Sequence, residues 1–171
     1  MNIILNKVVK FLLIILSFTL LSCSYSFTGV SLSPEYKTFG ISIVEDRTNS
    51  AEPNLAVSLR EKIQSKFIED NTLLYVDANK ANLVFDIFIT NLSDQFLSIE
   101  AGENVSAKKI IISVNVICYD MINNKKFFEQ TFTNFQEYDP RGNYLVERKN
   151  AIESVFEKIS EDILLRTVSN W

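Results

Sequence analysis

The eleven residues Ile110-Ile111-Ile112-Ser113-Val114-Asn115-Val116-Ile117-Cys118-Tyr119-Asp120 decide the fold class. Ile110, Ile112, Val114, Val116 and Cys118 recur at every second position, with Ser113, Asn115 and Tyr119 between them. Successive side chains of a strand point to opposite faces, so this period describes a β-strand with one face in a core. The phase puts Cys118 among the core residues, where a lone thiol is a small hydrophobe. Met121 to Lys126 (MINNKK) is an Asn-rich turn, and Phe127 to Tyr138 (FFEQTFTNFQEY) reads as a second long strand, so the two form a β-hairpin.

Working outward, Leu83, Phe85, Ile87 and Ile89 alternate along another half-buried strand that runs to Asn91. Thr72 to Val76 is a short strand, and Lys37 to Val44 a longer one with Phe39, Ile41 and Ile43 expected on one side. Ser24 to Gly29 is short and β-prone. Two segments have the helical period instead. Pro53 can open a helix whose Leu55, Leu59, Ile63 and Phe67 recur at i+4, and from Tyr144 to Ser169 the stripe is Ile152, Val155, Phe156, Ile159, Ile163 and Leu164. The order ββ-α-ββββ-α predicts an α+β two-layer sandwich: a mostly antiparallel sheet with two amphipathic helices on one face.

The other face of that sheet is then uncovered. It would carry Val84, Phe88, Ile111 and Ile117, with Phe127 and Phe135 as further candidates. Scattered surface hydrophobes are ordinary. Clustered, the same residues make an apolar and aromatic patch that wants a partner, with Phe88, Ile111 and Ile117 as its expected contacts.

Composition narrows the chemistry. The 171 residues include no histidine and only four glycines. The commonest general base and metal ligand is therefore absent, and no glycine-rich phosphate loop is present. No residue pattern nominates a nucleophile, a metal site or a cofactor site, so an enzyme is not expected. The acidic balance argues against nucleic acid, whose binders carry a basic footprint.

The N-terminus has its own logic. Lys7 and Lys10 precede Phe11 to Leu21 (FLLIILSFTLL), eleven residues without a charge. That is a secretory signal and is too short to span a bilayer, which takes about 20 apolar residues. Cys23 stands directly behind it, and three roles compete: half a disulfide, a core thiol, or a modified residue. Leu20-Leu21-Ser22-Cys23 resembles the bacterial lipobox, in which the cysteine thiol is acylated and the chain is cut before it. Residues 1–22 are then a signal peptide, and residues 23–171 a single domain anchored through fatty acyl chains on Cys23. Without the signal the chain holds 15 basic and 21 acidic residues, a net −6, and Cys118 has no cysteine to pair with.

The layout as a whole resembles one family. The lipobox cysteine followed by Tyr25-Ser26-Phe27-Thr28-Gly29, then Phe128-Glu129-Gln130-Thr131-Phe132-Thr133 with Tyr138-Asp139, then Ile163-Leu164 and the closing Ser169-Asn170-Trp171, is similar to the LPS-assembly lipoprotein LptE family of the Bacteroidetes type. The resemblance implies an outer-membrane lipoprotein on the periplasmic side, two helices on a sheet, and a partnership with the LptD β-barrel in delivering lipopolysaccharide to the cell surface. Sorting is consistent with this, because Ser24 rather than Asp follows the cysteine and no acidic run comes after it.

Two rival functions share the architecture. One is a periplasmic lipoprotein adaptor for another envelope complex, such as a cell-wall synthase activator or a secretion-pore accessory. The other is direct binding of lipopolysaccharide by the domain, with Lys108 and Lys109 as its phosphate contacts; two lysines at the start of a strand also serve simply to solvate an edge.

Overall fold

The computed structural model describes residues 32–97 and 107–169. Cys23, the signal before it, the Ser24–Gly29 segment, the Glu100–Ser106 loop and Asn170-Trp171 lie outside the described residues. The elements are β1 (Thr38–Asp46), α1 (Leu55–Asp70), β2 (Leu74–Tyr75), a 3-10 turn (Ala78–Lys80), β3 (Leu83–Leu97), β4 (Ala107–Asp120), β5 (Lys125–Tyr138) and α2 (Tyr144–Val168). They form the expected α+β sandwich, with sheet order β2-β1-β3-β4-β5. The long ladders β3–β4 and β4–β5 are antiparallel, whereas β1 runs parallel to both its neighbours, which makes the sheet mixed. Parallel neighbours need a crossover, and α1 provides it between β1 and β2.

The core lies between the sheet and both helices. Ile110, Ile112, Val114, Val116 and Cys118 are all fully buried on the helix side of β4, in the phase read from their alternation. They meet Leu59, Ile63 and Phe67 of α1 and Val155, Phe156, Ile159 and Ile163 of α2 in one cluster. Phe39, Phe67 and Phe85 form an aromatic centre, with Phe67 at 4.7 Å from Phe39 and 5.5 Å from Phe85 between ring centroids. Burial pushes the Cys118 thiol well above its ordinary pKa, so it stays a neutral thiol.

Three strand irregularities re-aim side chains. Ile41 pairs with Phe85 but Ile43 with Asp86, so Ser42 is an extra residue in β1. Such a bulge reverses the phase after it. Ile43 therefore leaves the side shared by Phe39 and Ile41, contrary to the alternation, and is 44% exposed on the far face. Arg60 of α1 holds the bulge by donating to the carbonyls of Ile41 and Ser42 at 3.0 and 3.3 Å. A second bulge, at Thr90, divides β3. In β5 the third falls at Phe127, because Cys118 pairs with Phe128 while Tyr119 pairs with Lys126.

The start of β1 is locked by a crossing chain. From β2 the backbone passes over Gly40 on the side away from the helices, so close that a Cβ on Gly40 would lie 2.7 Å from the Ala78 Cα. Only glycine fits there. Asn82, just beyond the crossing, accepts from the backbone N–H groups of Lys37 and Thr38 at 3.0 and 3.2 Å. At the same end, the buried Asp120 closes the β4–β5 turn. Its carboxylate accepts from Tyr36 Oη at 2.8 Å, Asn123 Nδ2 at 2.8 Å and the N–H groups of Ile122 and Asn123 at 3.0 Å. Four donors explain how a carboxylate with no exposed surface is tolerated. No helix among the described residues is long and apolar enough to cross a membrane.

Candidate functional site

The helix-free face of β3, β4 and β5 is uncovered, and its chemistry is banded. Ser113 and Thr133 hydroxyls lie 2.8 Å apart across β4–β5, and Asn115 Nδ2 donates to Thr131 Oγ1 at 3.3 Å. Next to them, Thr90 Oγ1 donates to the Ser113 carbonyl at 3.2 Å and Asn91 Nδ2 to the Ile111 carbonyl at 3.4 Å. The centre of the face is thus a ladder of hydroxyl and amide groups.

Apolar side chains flank this ladder in two separate spots. Phe88 and Ile117 are diagonal neighbours on one side of it, Phe88 opposite Asn115 and Ile117 opposite Asp86. Arg47 covers Phe88, its guanidinium carbon 3.6 Å from the ring centroid, and Arg47 is itself paired with Glu45 at 2.7 Å. On the other side, Ile111 pairs across with Phe135, which is 50% exposed. Ile111 and Ile117 are six strand residues apart, about 20 Å. Phe88, Ile111 and Ile117 therefore share a face without forming one patch. Val84 is buried, and Phe127 packs on the core beside Tyr36, its ring 5.5 Å away, as a result of the β5 bulge. Neither belongs to the exposed surface.

The two lysines also part company. Lys109 lies on the open face with its Nζ 5.2 Å from the Phe135 ring. Lys108 points to the helix side, 4.8 Å from the rings of both Phe96 and Tyr144. Phe96 is 74% exposed and Leu145 76%, so this end of the molecule presents a cation among uncovered apolar groups.

Beneath it lies a cluster that the sequence did not reveal. Arg148 of α2 donates to Asp94 of β3 at 2.9 Å and pairs with Glu52 of the loop before α1, and Tyr138 Oη donates to Asp94 at 2.6 Å. Burial alone would raise the Asp94 pKa, but the hydrogen bonds from Arg148 and Tyr138 outweigh it and hold the carboxyl below its ordinary value. Burial and the neighbouring Asp94 push the Tyr138 hydroxyl up. The group ties β3, β5, α2 and the α1 approach together beside a cleft of about 450 Å³. Its partners are 54 and 96 positions apart in the chain, and no local pattern announces such a contact. Its one hydroxyl–carboxylate pair, Tyr138 with Asp94, holds the phenol protonated and does not activate it. Among the described residues no three potential metal ligands converge.

The model of one protein family, LptE, described as lipopolysaccharide-assembly, matches residues 36–167, nearly all of the described fold. The chain belongs to the LptE family. Members are non-enzymatic lipoproteins, so this LptE chain has a role in lipopolysaccharide assembly in the cell envelope. Solved structures share its fold. Protein CT253 from Chlamydia trachomatis aligns with a TM-score of 0.57 at 14% identity, covering 77% of this chain and 95% of its own. XCC0632 from Xanthomonas campestris gives 0.56 at 14% identity, covering 82% and 85%. PelC from Paraburkholderia phytofirmans, described as a dodecamer, gives 0.50 at 13% identity, covering 83% and 94%. No curated protein matches the sequence.

Among the described residues the open face and the Lys108 end are two surfaces that the fold leaves uncovered. The helix side is spent on the core. Its outward surface carries ion pairs, for example Lys62 with Glu157 at 3.3 Å, between singly exposed apolar side chains such as Val57 and Leu165.

Proposed function

We propose that this chain is an outer-membrane lipoprotein, acylated at Cys23 and facing the periplasm, whose domain partners an LptD-type β-barrel in placing lipopolysaccharide at the cell surface. The observation that carries the reading is the family match over residues 36–167. The open face supports it. A large barrel has a polar interior, and a ladder of Ser113, Asn115, Thr131 and Thr133 offers such a wall donors and acceptors. Phe88, Ile111 and Ile117 add apolar contacts on either side of that ladder.

The anchor is supported by the Leu20-Leu21-Ser22-Cys23 exit. A single acyl chain binds membranes only marginally, whereas two or three hold stably. Direct lipopolysaccharide contact cannot use both candidate lysines on one face of the sheet. Lys108 is the better placed, since it stands among Phe96, Tyr144 and Leu145, which suit an acylated phosphate ligand.

Depletion of the lipoprotein in its own cells tests the reading. Mature barrel levels and surface lipopolysaccharide should both fall, and large hydrophobic antibiotics should enter. Unchanged barrel assembly and surface display after deletion would contradict it and favour an adaptor for another envelope complex. Cys23→Ala should abolish fatty-acid labelling; persistence of the label would remove the anchor from the account.

A further inference from the structure

We propose that the outer edge of β5 is a strand-addition site for an extended segment of a partner polypeptide. The two edges of the sheet differ. At one, β2 is only two residues long, a common way of blunting an edge, while β5 runs for fourteen residues with no strand beyond it among the described residues.

Side-chain contacts show which backbone groups of β5 face outward. The carbonyls of Ser113 and Ile111 accept from Thr90 and Asn91 of β3, so the backbone groups of these β4 residues turn toward β3. Their partners across β5, Thr133 and Phe135, consequently direct their N–H and C=O groups away from β4. The Phe135 carbonyl confirms this direction: it accepts from the Lys158 ammonium of α2 at 3.0 Å, the sort of lysine that guards a free edge. By the two-residue period Thr131 and Glu137 face the same way. The Glu137 carbonyl accepts from Gln136 Nε2 at 3.0 Å, so the unguarded N–H and C=O groups are those of Thr131 and Thr133, on the N-terminal side of Phe135.

A shelf accompanies the row. Two clefts of about 380 and 350 Å³ lie along this edge between β5 and α2. The lower contains Phe132 and Leu165, the latter 49% exposed, and the upper contains Glu137 and Glu147. A strand laid on β5 would place alternate side chains over this shelf. Its chemistry follows from the shelf: an apolar residue at Leu165 and a basic one at Glu147. Entry requires Lys158 to release Phe135. This inference uses the edge alone and does not depend on which envelope complex the domain serves.

The probe is a fluorescein-labelled peptide, Lys-Thr-Val-Thr-Leu-Thr-Val, titrated into the full mature chain and read by anisotropy. Binding should saturate, and Lys158→Ala should strengthen it. Thr133→Pro deletes one outward N–H, which an edge strand tolerates, and should weaken binding about tenfold. Leu165→Glu, which leaves the strand untouched, should weaken it too. Absence of saturable binding, or affinity unchanged in both weakening variants, would overturn the proposal. So would slow amide exchange at Thr131 and Thr133 in the peptide-free chain. If that protection persists on dilution, the chain's own residues 24–31 hold the edge; if it fades, a second copy does.

Discussion

The two faces of β4 are made from one continuous stretch of chain and do opposite things. Its even positions, Ile110 to Cys118, have no exposed surface and pack on both helices. Its odd positions, Ile111 to Tyr119, remain half-buried, and Ser113 and Asn115 spend their polar groups on β5. One face supplies folding energy through removal of apolar area from water. The other contributes little to stability and is free to be selected for what it touches. The difference teaches that stability and association should separate cleanly by residue parity along this strand.

The helix side is where that contrast breaks hardest. Phe156 is fully buried where α2 meets the sheet, and Phe156→Ala should cost about 3–5 kcal/mol in urea unfolding. A loss below about 1 kcal/mol would mean that the helix packs loosely. Gly40→Ala should come next, at about 1–3 kcal/mol, because its new methyl meets the Ala78 backbone rather than a side chain that can swing away.

A smaller effect is pH-dependent. Burial opposes the charge of Asp120, but donors from Asn123, Tyr36 and Ile122 overcome it, so its folded pKa lies below its unfolded value. Asp94 is lowered in the same sense. Stability from a lowered carboxylate is present above the unfolded pKa, about 3.9, and is lost as pH falls through the folded value. Thermal melts from pH 6 down to pH 2 should therefore show a steeper acid decline for the wild-type chain than for Asp120→Asn, which starts lower. Parallel curves would show that Asp120 does not carry the acid sensitivity. The smallest change belongs to the open face: Ser113→Ala should shift stability by no more than about 0.5 kcal/mol. A larger loss would make the ladder structural and erase the contrast.

How far these faces were readable from sequence follows the same division. Alternation along Ile110–Cys118 gave the core side of β4 in the right phase, and the i+4 spacing gave Leu55, Leu59, Ile63 and Phe67, all buried in α1. Alternation misplaces Ile43 and Phe127 because each follows or forms a bulge, and one inserted residue inverts every later side chain without leaving a mark in the pattern. The parallel pairing of β1 was not legible either, since strand direction depends on the crossover and not on the strand's own residues. Adjacency in sequence pairs Lys108 with Lys109, although neighbours on a strand face opposite ways. The Arg148, Asp94 and Glu52 group joins three distant segments and had no sequence signal.

The central claim is that the open face, and not the helix side, meets the partner. The direct measurement is recovery of the LptD-type barrel with tagged lipoprotein from solubilised outer membrane, comparing Ile117→Glu with Val57→Glu. Val57 is 53% exposed on α1, so both substitutions add one carboxylate outside the core, and both chains should melt within a few degrees of wild type. The account predicts that barrel recovery collapses for Ile117→Glu and stays at the wild-type level for Val57→Glu. Full recovery with Ile117→Glu, or loss only with Val57→Glu, would contradict it.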